Sequence, residues 1–152
     1  MTTPDFADEI GQRLGGFNLA MGLRIVSATA DQVVGAWTVE PHHHQPYGLV
    51  HGGVYAAFIE STCSIGCALD ARERGQSVVG LENHTSLLRA VRGGTLTCTA
   101  TPVAKGRRSQ VWEASVRDDS GRLVASGRMR LLCLEPGAEV AGQKVEVGLD
   151  RA

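Results

Sequence analysis

The run Gln45-Pro-Tyr-Gly-Leu-Val-His-Gly-Gly53 passes without a break into Val54-Tyr-Ala-Ala-Phe-Ile-Glu60. A tight, glycine-rich turn therefore opens an apolar helix that carries one carboxylate two turns in. An unpaired ionised carboxylate is costly to bury, so a chain that keeps one on such a helix has a use for it, and Glu60 is the first candidate for chemistry. The amides of Gly52 and Gly53 are the second. N–H groups at a helix start point at a ligand and carry the positive end of the helix dipole, and glycine lets a ligand come close to the backbone. Ser64, one turn beyond Glu60 on the same face, is placed to hold it, although a helical serine also bonds back to its own backbone. His51 reads equally as a capped histidine orienting the loop and as a substrate contact, and Gln45 as a loop amide or a site amide.

The elements that must position these residues follow from patterning. Residues 5–14 fit a short amphipathic helix ending at Gly15-Gly16, and Leu23–Ala30 and Gln32–Glu40 fit two strands turning at Ala30-Asp31. From Gly53 to about Arg72 the chain is apolar nearly all round, which calls for a helix wrapped by the rest of the protein, with Gly75 as its C-cap. Strands are expected at Ser77–Leu81 with Thr85–Leu88, Thr95–Val103, Ser109–Arg117 and Leu123–Leu134, joined by glycine-containing turns. The fold class is α+β: a long buried central helix wrapped by a curled antiparallel sheet, one domain over residues 1–135, with residues 136–152 a polar, mobile tail. A single helix covers only part of such a sheet, so dimerisation is the expected remedy for the edge left over.

Composition agrees. The chain has 152 residues, is 43% hydrophobic, has a formal net charge of −1 and has no run of 18 apolar residues, which fits one soluble domain and disfavours a nucleic-acid or membrane partner. The acidic, polar start (Thr2-Thr-Pro-Asp-Phe-Ala-Asp-Glu) does not read as a signal peptide, and Cys63, Cys67, Cys98 and Cys133 lack metal-ligand spacing. They fit reduced core thiols in a cytoplasmic protein. His42-His43-His44 is read as a solvated loop, since three consecutive residues of an extended segment cannot face one ion.

Gly48-Leu-Val-His-Gly-Gly53 with Glu60 seven residues on, Val79-Gly-Leu-Glu-Asn-His-Thr-Ser-Leu-Leu-Arg-Ala-Val91, Gly106-Arg-Arg-Ser-Gln-Val-Trp112 and Asp118-Asp-Ser-Gly-Arg-Leu-Val124 together resemble the hotdog-fold acyl-CoA thioesterases. The nearest branch is that of the phenylacetate-pathway thioesterases and the Arthrobacter-type 4-hydroxybenzoyl-CoA thioesterase, in collinear order over roughly residues 20–134. The resemblance implies a dimer, usually paired into a homotetramer, with the site at the dimer interface and with no cofactor or metal. It implies that Glu60 is the catalytic carboxylate, as nucleophile or general base, that the Gly52 amide polarises the thioester carbonyl, and that Gln45, Ser64 and His51 assist. It also implies that Gly53, Asn83, His84 and Thr85 face the acyl group, that the strand from Asn83 to Arg89 reaches the partner's Glu60, and that Arg89, Arg107 and Arg108 grip the phosphates of coenzyme A.

Two departures from the family pattern stand out. The Arthrobacter-type enzyme carries hydroxyl residues in the columns of Arg107 and Arg108. Relatives that edit aryl thioesters on carrier proteins place a histidine just before the arginine matching Arg89, where this chain has Leu87-Leu88. The substrate expected is therefore an aryl-, arylacetyl- or medium-chain acyl-CoA. A non-catalytic acyl-CoA-binding module and a hotdog hydratase or dehydratase are the alternatives.

Overall fold

The computed structural model describes residues 3–145. In chain order the elements are α1 (Ala7–Arg13), α2 (Gly16–Ala20), β1 (Arg24–Ala28), β2 (Val33–Thr38), α3 (Gly52–Ala71), β3 (Ser77–Leu87), β4 (Thr95–Lys105), β5 (Ser109–Arg117), β6 (Leu123–Leu134), β7 (Glu139–Val140) and β8 (Gln143–Lys144). Six antiparallel strands form one sheet in the order β1-β2-β4-β5-β6-β3, and α3 packs on its inner face against β2, β3, β4, β5 and β6. This is the hotdog architecture. By length and composition the helical stretch Gly52–Arg74 could cross a membrane; here it is seated against the sheet.

Alternation sets which side chains meet. In β5, Gln110, Trp112, Ala114 and Val116 point inward, and in β4 Leu96, Cys98 and Ala100 do the same. Phe58 of α3 stacks on Trp37 of β2 with ring centroids 4.0 Å apart, both rings being essentially inaccessible. Each such side chain contributes about 1.5–3 kcal/mol when fully buried. Two turns further along, Gly66 lies so near the sheet that a Cβ there would sit 2.4 Å from the Trp112 ring. Glycine at this point lets the helix approach the indole closely. At the C-terminal end of α3, Asp70 accepts hydrogen bonds from Arg74 (3.0 Å) and Gln110 (2.7 Å), while Gln110 accepts from Trp112 Nε1 (2.8 Å). Helix and sheet are thus tied by a polar chain as well as by packing.

Three features differ from the sequence expectations. The strand expected in two pieces is one, with a bulge between Gly80 and Glu82 that leaves Leu81 unpaired. Before the bulge Val78 faces the core; after it the inward positions are Asn83 and Thr85, because one inserted residue reverses the alternation. The second difference is α3 itself, which is buried along one side only. Val54, Tyr55, Phe58, Ile59, Thr62, Cys63, Gly66 and Cys67 are covered, whereas Gly53 and Glu60 are exposed and Ala56, Ala57, Ser61 and Ser64 are half-buried. The third lies in the segment read as an irregular tail. Its described part carries the β7–β8 hairpin, turning at Ala141 and Gly142, both at positive φ, the geometry of a tight two-residue hairpin turn. The rest of that segment, 146–152, is outside the described residues.

Gly66→Ala is expected to destabilise the protein by about 1–3 kcal/mol through overpacking against the indole, in spite of the roughly 1 kcal/mol that alanine gains over glycine in helix propensity. Urea denaturation measures the balance. A variant as stable as the wild type would show that α3 is free to shift off Trp112.

Candidate active site

The turn that opens α3 is sewn down from several sides. His43 is buried; its Nδ1 accepts from the Glu40 amide (2.9 Å) and its Nε2 donates to the Met21 carbonyl (2.9 Å). The His51 amide in turn donates to the His43 carbonyl (2.8 Å). Arg92 Nη1 donates to the carbonyls of Tyr47 (2.8 Å) and Gly48 (3.4 Å), and Gly48 takes a φ of 70°, a left-handed conformation that favours glycine. Of the histidine run, His43 is therefore an internal strut, while His44 Nε2 bonds the Arg92 carbonyl at 2.8 Å. Among the described residues no group of three His, Cys, Asp or Glu could hold a metal ion.

At the helix start His51 is the N-cap, its Nδ1 accepting from the Gly53 amide at 2.9 Å. That corrects the expectation of two free glycine amides: Gly53 N–H is occupied, and Val54 N–H bonds the His51 carbonyl. Gly52 N–H has no acceptor among the described residues. Leu87 of β3 lies over it, so close that a Cβ on Gly52 would fall 2.6 Å from Leu87 Cδ1. Gly52, Gly53, Ala56, Asn83, Thr85 and Leu87 line one open groove of about 510 Å³.

Glu60 stands on the uncovered side of α3. Its Oε2 is 3.4 Å from Asn83 Nδ2, and its Oε1 lies 3.7 Å from where a Gly80 Cβ would be, which places the carboxylate beside β3. Asn83 thus reaches Glu60 of its own chain, a contact the family pattern had implied across an interface. Gly52 and Glu60 of one helix do not serve the same reacting atom. Eight residues separate them, about 12 Å along the axis, too far for both to touch one carbon.

Ser64 shares the uncovered stripe with Glu60, and no hydrogen bond joins the two. Sequence reasoning missed the neighbouring pair, Ser61 Oγ donating to Asn18 Oδ1 of α2 at 2.6 Å. Gln45 sits in the turn, where its side-chain oxygen accepts from the Tyr47 amide, and it does not touch Glu60. His84 faces the other side of the sheet, in a groove of about 460 Å³ with Thr99, Thr101, Glu113, Ser115 and Arg128. The arginines separate. Arg89 follows β3 near the start of α3 and lines a surface cleft with Arg117 and Arg122. Arg107 and Arg108 sit at the β4–β5 turn near the far end of α3, where Gln76 Nε2 donates to the Arg107 carbonyl (3.1 Å). Arg107 is also paired with Glu135 at 3.4 Å. Burial pushes the thiols of Cys63, Cys67 and Cys98 up, the last to about 12, so these three offer no nucleophile.

Residues 47–125 match the family model of the thioesterase superfamily. The chain is similar to a Mycobacterium tuberculosis protein, 39% identical over 121 residues that span 78% of this chain and 86% of the other. The solved structure of that protein superposes with a TM-score of 0.77, covering 82% and 98% of the two chains. It is also similar to the proofreading thioesterase EntH of Cronobacter turicensis (36% identity; 72% of this chain, 79% of that one). A third relative is the 1,4-dihydroxy-2-naphthoyl-CoA hydrolase of Listeria monocytogenes (34% identity; 74% and 91%).

Burial holds the His43 imidazole below its ordinary value of 6.5, with the neighbouring His42 and His44 acting in the same direction against Met21 and Glu40. A histidine kept neutral by folding contributes stability that is present above the unfolded value and is lost as pH falls below it. Hydrogen exchange corrected for intrinsic rate is therefore expected to show the 40–51 loop losing protection as pH falls below about 6.5, histidine's ordinary value. His43→Phe should remove that dependence. Equal pH response in the two proteins would clear His43 of the role.

Proposed function

The chain belongs to the thioesterase superfamily and is a thioester hydrolase, and we propose that it cleaves an aryl-, arylacetyl- or medium-chain acyl-CoA to the free acid and coenzyme A at a site shared between two copies. The observation that carries this reading is the 12 Å offset between Gly52 and Glu60 on one helix beside an unpaired strand edge. β3 is the last strand of the sheet, and its outer edge has no strand partner among the described residues. Pairing that edge antiparallel with a second copy about a two-fold axis sets the Leu87 end of one β3 at the Ser77 end of the other. Gly52, which lies under Leu87, then moves toward Glu60 of the partner subunit. The same operation brings Arg89 of one copy toward the Arg107-Arg108 turn of the other, which would unite cations that a single chain keeps apart.

In this arrangement the thioester carbonyl oxygen accepts the free Gly52 N–H, where the helix dipole favours the negative charge of the tetrahedral intermediate. Glu60 either takes a proton from the attacking water or attacks the carbonyl carbon itself to give an anhydride that water then opens. Both routes end with the sulfur leaving as the thiol and the acyl group as the carboxylic acid. His51 holds the helix start through Gly53, and Gln45 and Ser64 complete the polar wall. Arg89 and Arg108 meet the phosphates, with Arg107 first exchanging Glu135 for them. Leu87 and Leu88 make the lip apolar, which suits a free acyl-CoA better than carrier-protein editing and fits the phenylacetate and 4-hydroxybenzoyl branch. A dimer of dimers in the cytoplasm is the assembly this reading expects.

A panel of acyl-CoAs with a thiol reagent tests the activity, and Glu60→Gln is expected to lower kcat by orders of magnitude while leaving the fold intact. Turnover within about tenfold of wild type would remove Glu60 from the chemistry. Co-expression of a Gly52→Leu chain with an E60Q chain is expected to restore about a quarter of wild-type activity, since half the dimers then hold one complete site of two. No recovery in verified mixed dimers would refute the shared site. Arg107→Ala with Arg108→Ala should raise KM for acyl-CoA, by a factor that shrinks at high salt. An unchanged KM would return both side chains to solvent.

A further inference from the structure

We propose that Asn83 is a positioning residue for Glu60, oriented by the Ala56 carbonyl and held at its other end by Thr85; the inference rests on Glu60 being the catalytic carboxylate. The Asn83 carboxamide has acceptors on one side and a hydroxyl on the other. Its nitrogen lies 2.9 Å from the Ala56 carbonyl and 3.4 Å from Glu60 Oε2, and its oxygen lies 2.8 Å from Thr85 Oγ1. A carbonyl and a carboxylate can only accept, so the group between them must be the NH₂, and the oxygen must face Thr85, whose hydroxyl must donate. No other amide orientation satisfies all three contacts. The amide therefore cannot flip without losing its bonds to Ala56 and Glu60 together, and Thr85 holds its oxygen end in place.

The anchor point on the helix is specific. The Ala56 carbonyl is the acceptor of the Glu60 backbone amide in the regular i to i−4 ladder of α3. Asn83 thus grips the peptide group that carries the Glu60 backbone bond and steers the Glu60 carboxylate with its second N–H. It can do so because the bulge at Leu81 turns Asn83 inward and because Gly127, opposite Thr85 in β6, leaves room for the Thr85 hydroxyl. A Cβ on Gly127 would come within 3.0 Å of Thr85 Oγ1 and 3.1 Å of Ile59 Cδ1. A carboxylate that must meet a substrate seated against another copy's helix gains from such a fixed aim, since small misplacements of a reacting group are costly in rate.

The test combines steady-state kinetics on benzoyl-CoA and phenylacetyl-CoA with high-resolution crystal structures of the wild type and the Asn83→Ala, Thr85→Val and Thr85→Ser proteins. Asn83→Ala is expected to lower kcat about 10- to 100-fold with KM within about twofold, and to spread Glu60 over more than one rotamer. Thr85→Val should lower kcat by a smaller factor, Thr85→Ser should restore it, and in the E60Q background Asn83→Ala should cost nothing more. A raised KM at unchanged kcat, losses that multiply with E60Q, or a Glu60 side chain that keeps its single position in Asn83→Ala would each overturn the proposal. Thr85→Val reaches the amide without altering it, so it decides the matter if Asn83→Ala fails to fold. The rotamer measurement needs no turnover, so it separates failure of the Asn83 grip from failure of the thioesterase reading.

Discussion

The distance between α3 and the sheet governs the rest of the molecule. Gly66 lets the helix backbone come down onto the Trp112 ring, and Phe58 stacks on Trp37 beside it, so a single thin layer of side chains separates helix and strands. At that separation a strand residue with a short polar side chain can reach a helix carbonyl, as Asn83 reaches Ala56. A methyl group at residue 66 would press on the Trp112 ring and push the helix away from the sheet there. Close packing of the core and the geometry of the polar groove are one constraint seen at two places.

The bulge in β3 is the second determinant, because it lets one strand serve two purposes. Its first half continues the core with Val78 and sets Gly80 beside Glu60. Its second half, with the alternation reversed, presents Asn83, Thr85 and Leu87 to the helix start and sends His84 and Ser86 to the opposite face. A regular strand would have presented His84 and Ser86 to the helix instead.

Much of this was legible in the sequence, and the gaps have physical reasons. Strands β5 and β6 fall where alternation and the turn residues put them, and the helix start follows from the glycine pair after His51. The one-sided burial of α3 was hidden because Ala56, Ala57 and Ala68 count as apolar yet cost little when uncovered, so an all-round apolar pattern does not imply an all-round wall. The bulge was hidden because an inserted Leu81 has no residue signature of its own; it surfaced only as a break between two apparent strands. The Asn83–Glu60 and Ser61–Asn18 contacts join residues distant in the chain, which no local periodicity encodes. The pairing of Arg107 with Glu135 escaped notice for the same reason.

The strand order has a consequence for how the polypeptide matures. β3 follows the helix in the chain, yet its neighbour in the sheet is β6, the last long strand, so residues 77–87 wait for residues 125–134 to be synthesised before their inner edge is satisfied. During that interval an eleven-residue strand carries two bare edges and the half-made groove. Such long-range closure slows folding and exposes the nascent chain to wrong partners. The final hairpin, β5 with β6, acts as the latch: until it docks, Glu60 and Asn83 already exist in the polymer but have no fixed relation to each other, so the order of emergence from the ribosome makes the groove one of the last parts of the protein to come into being.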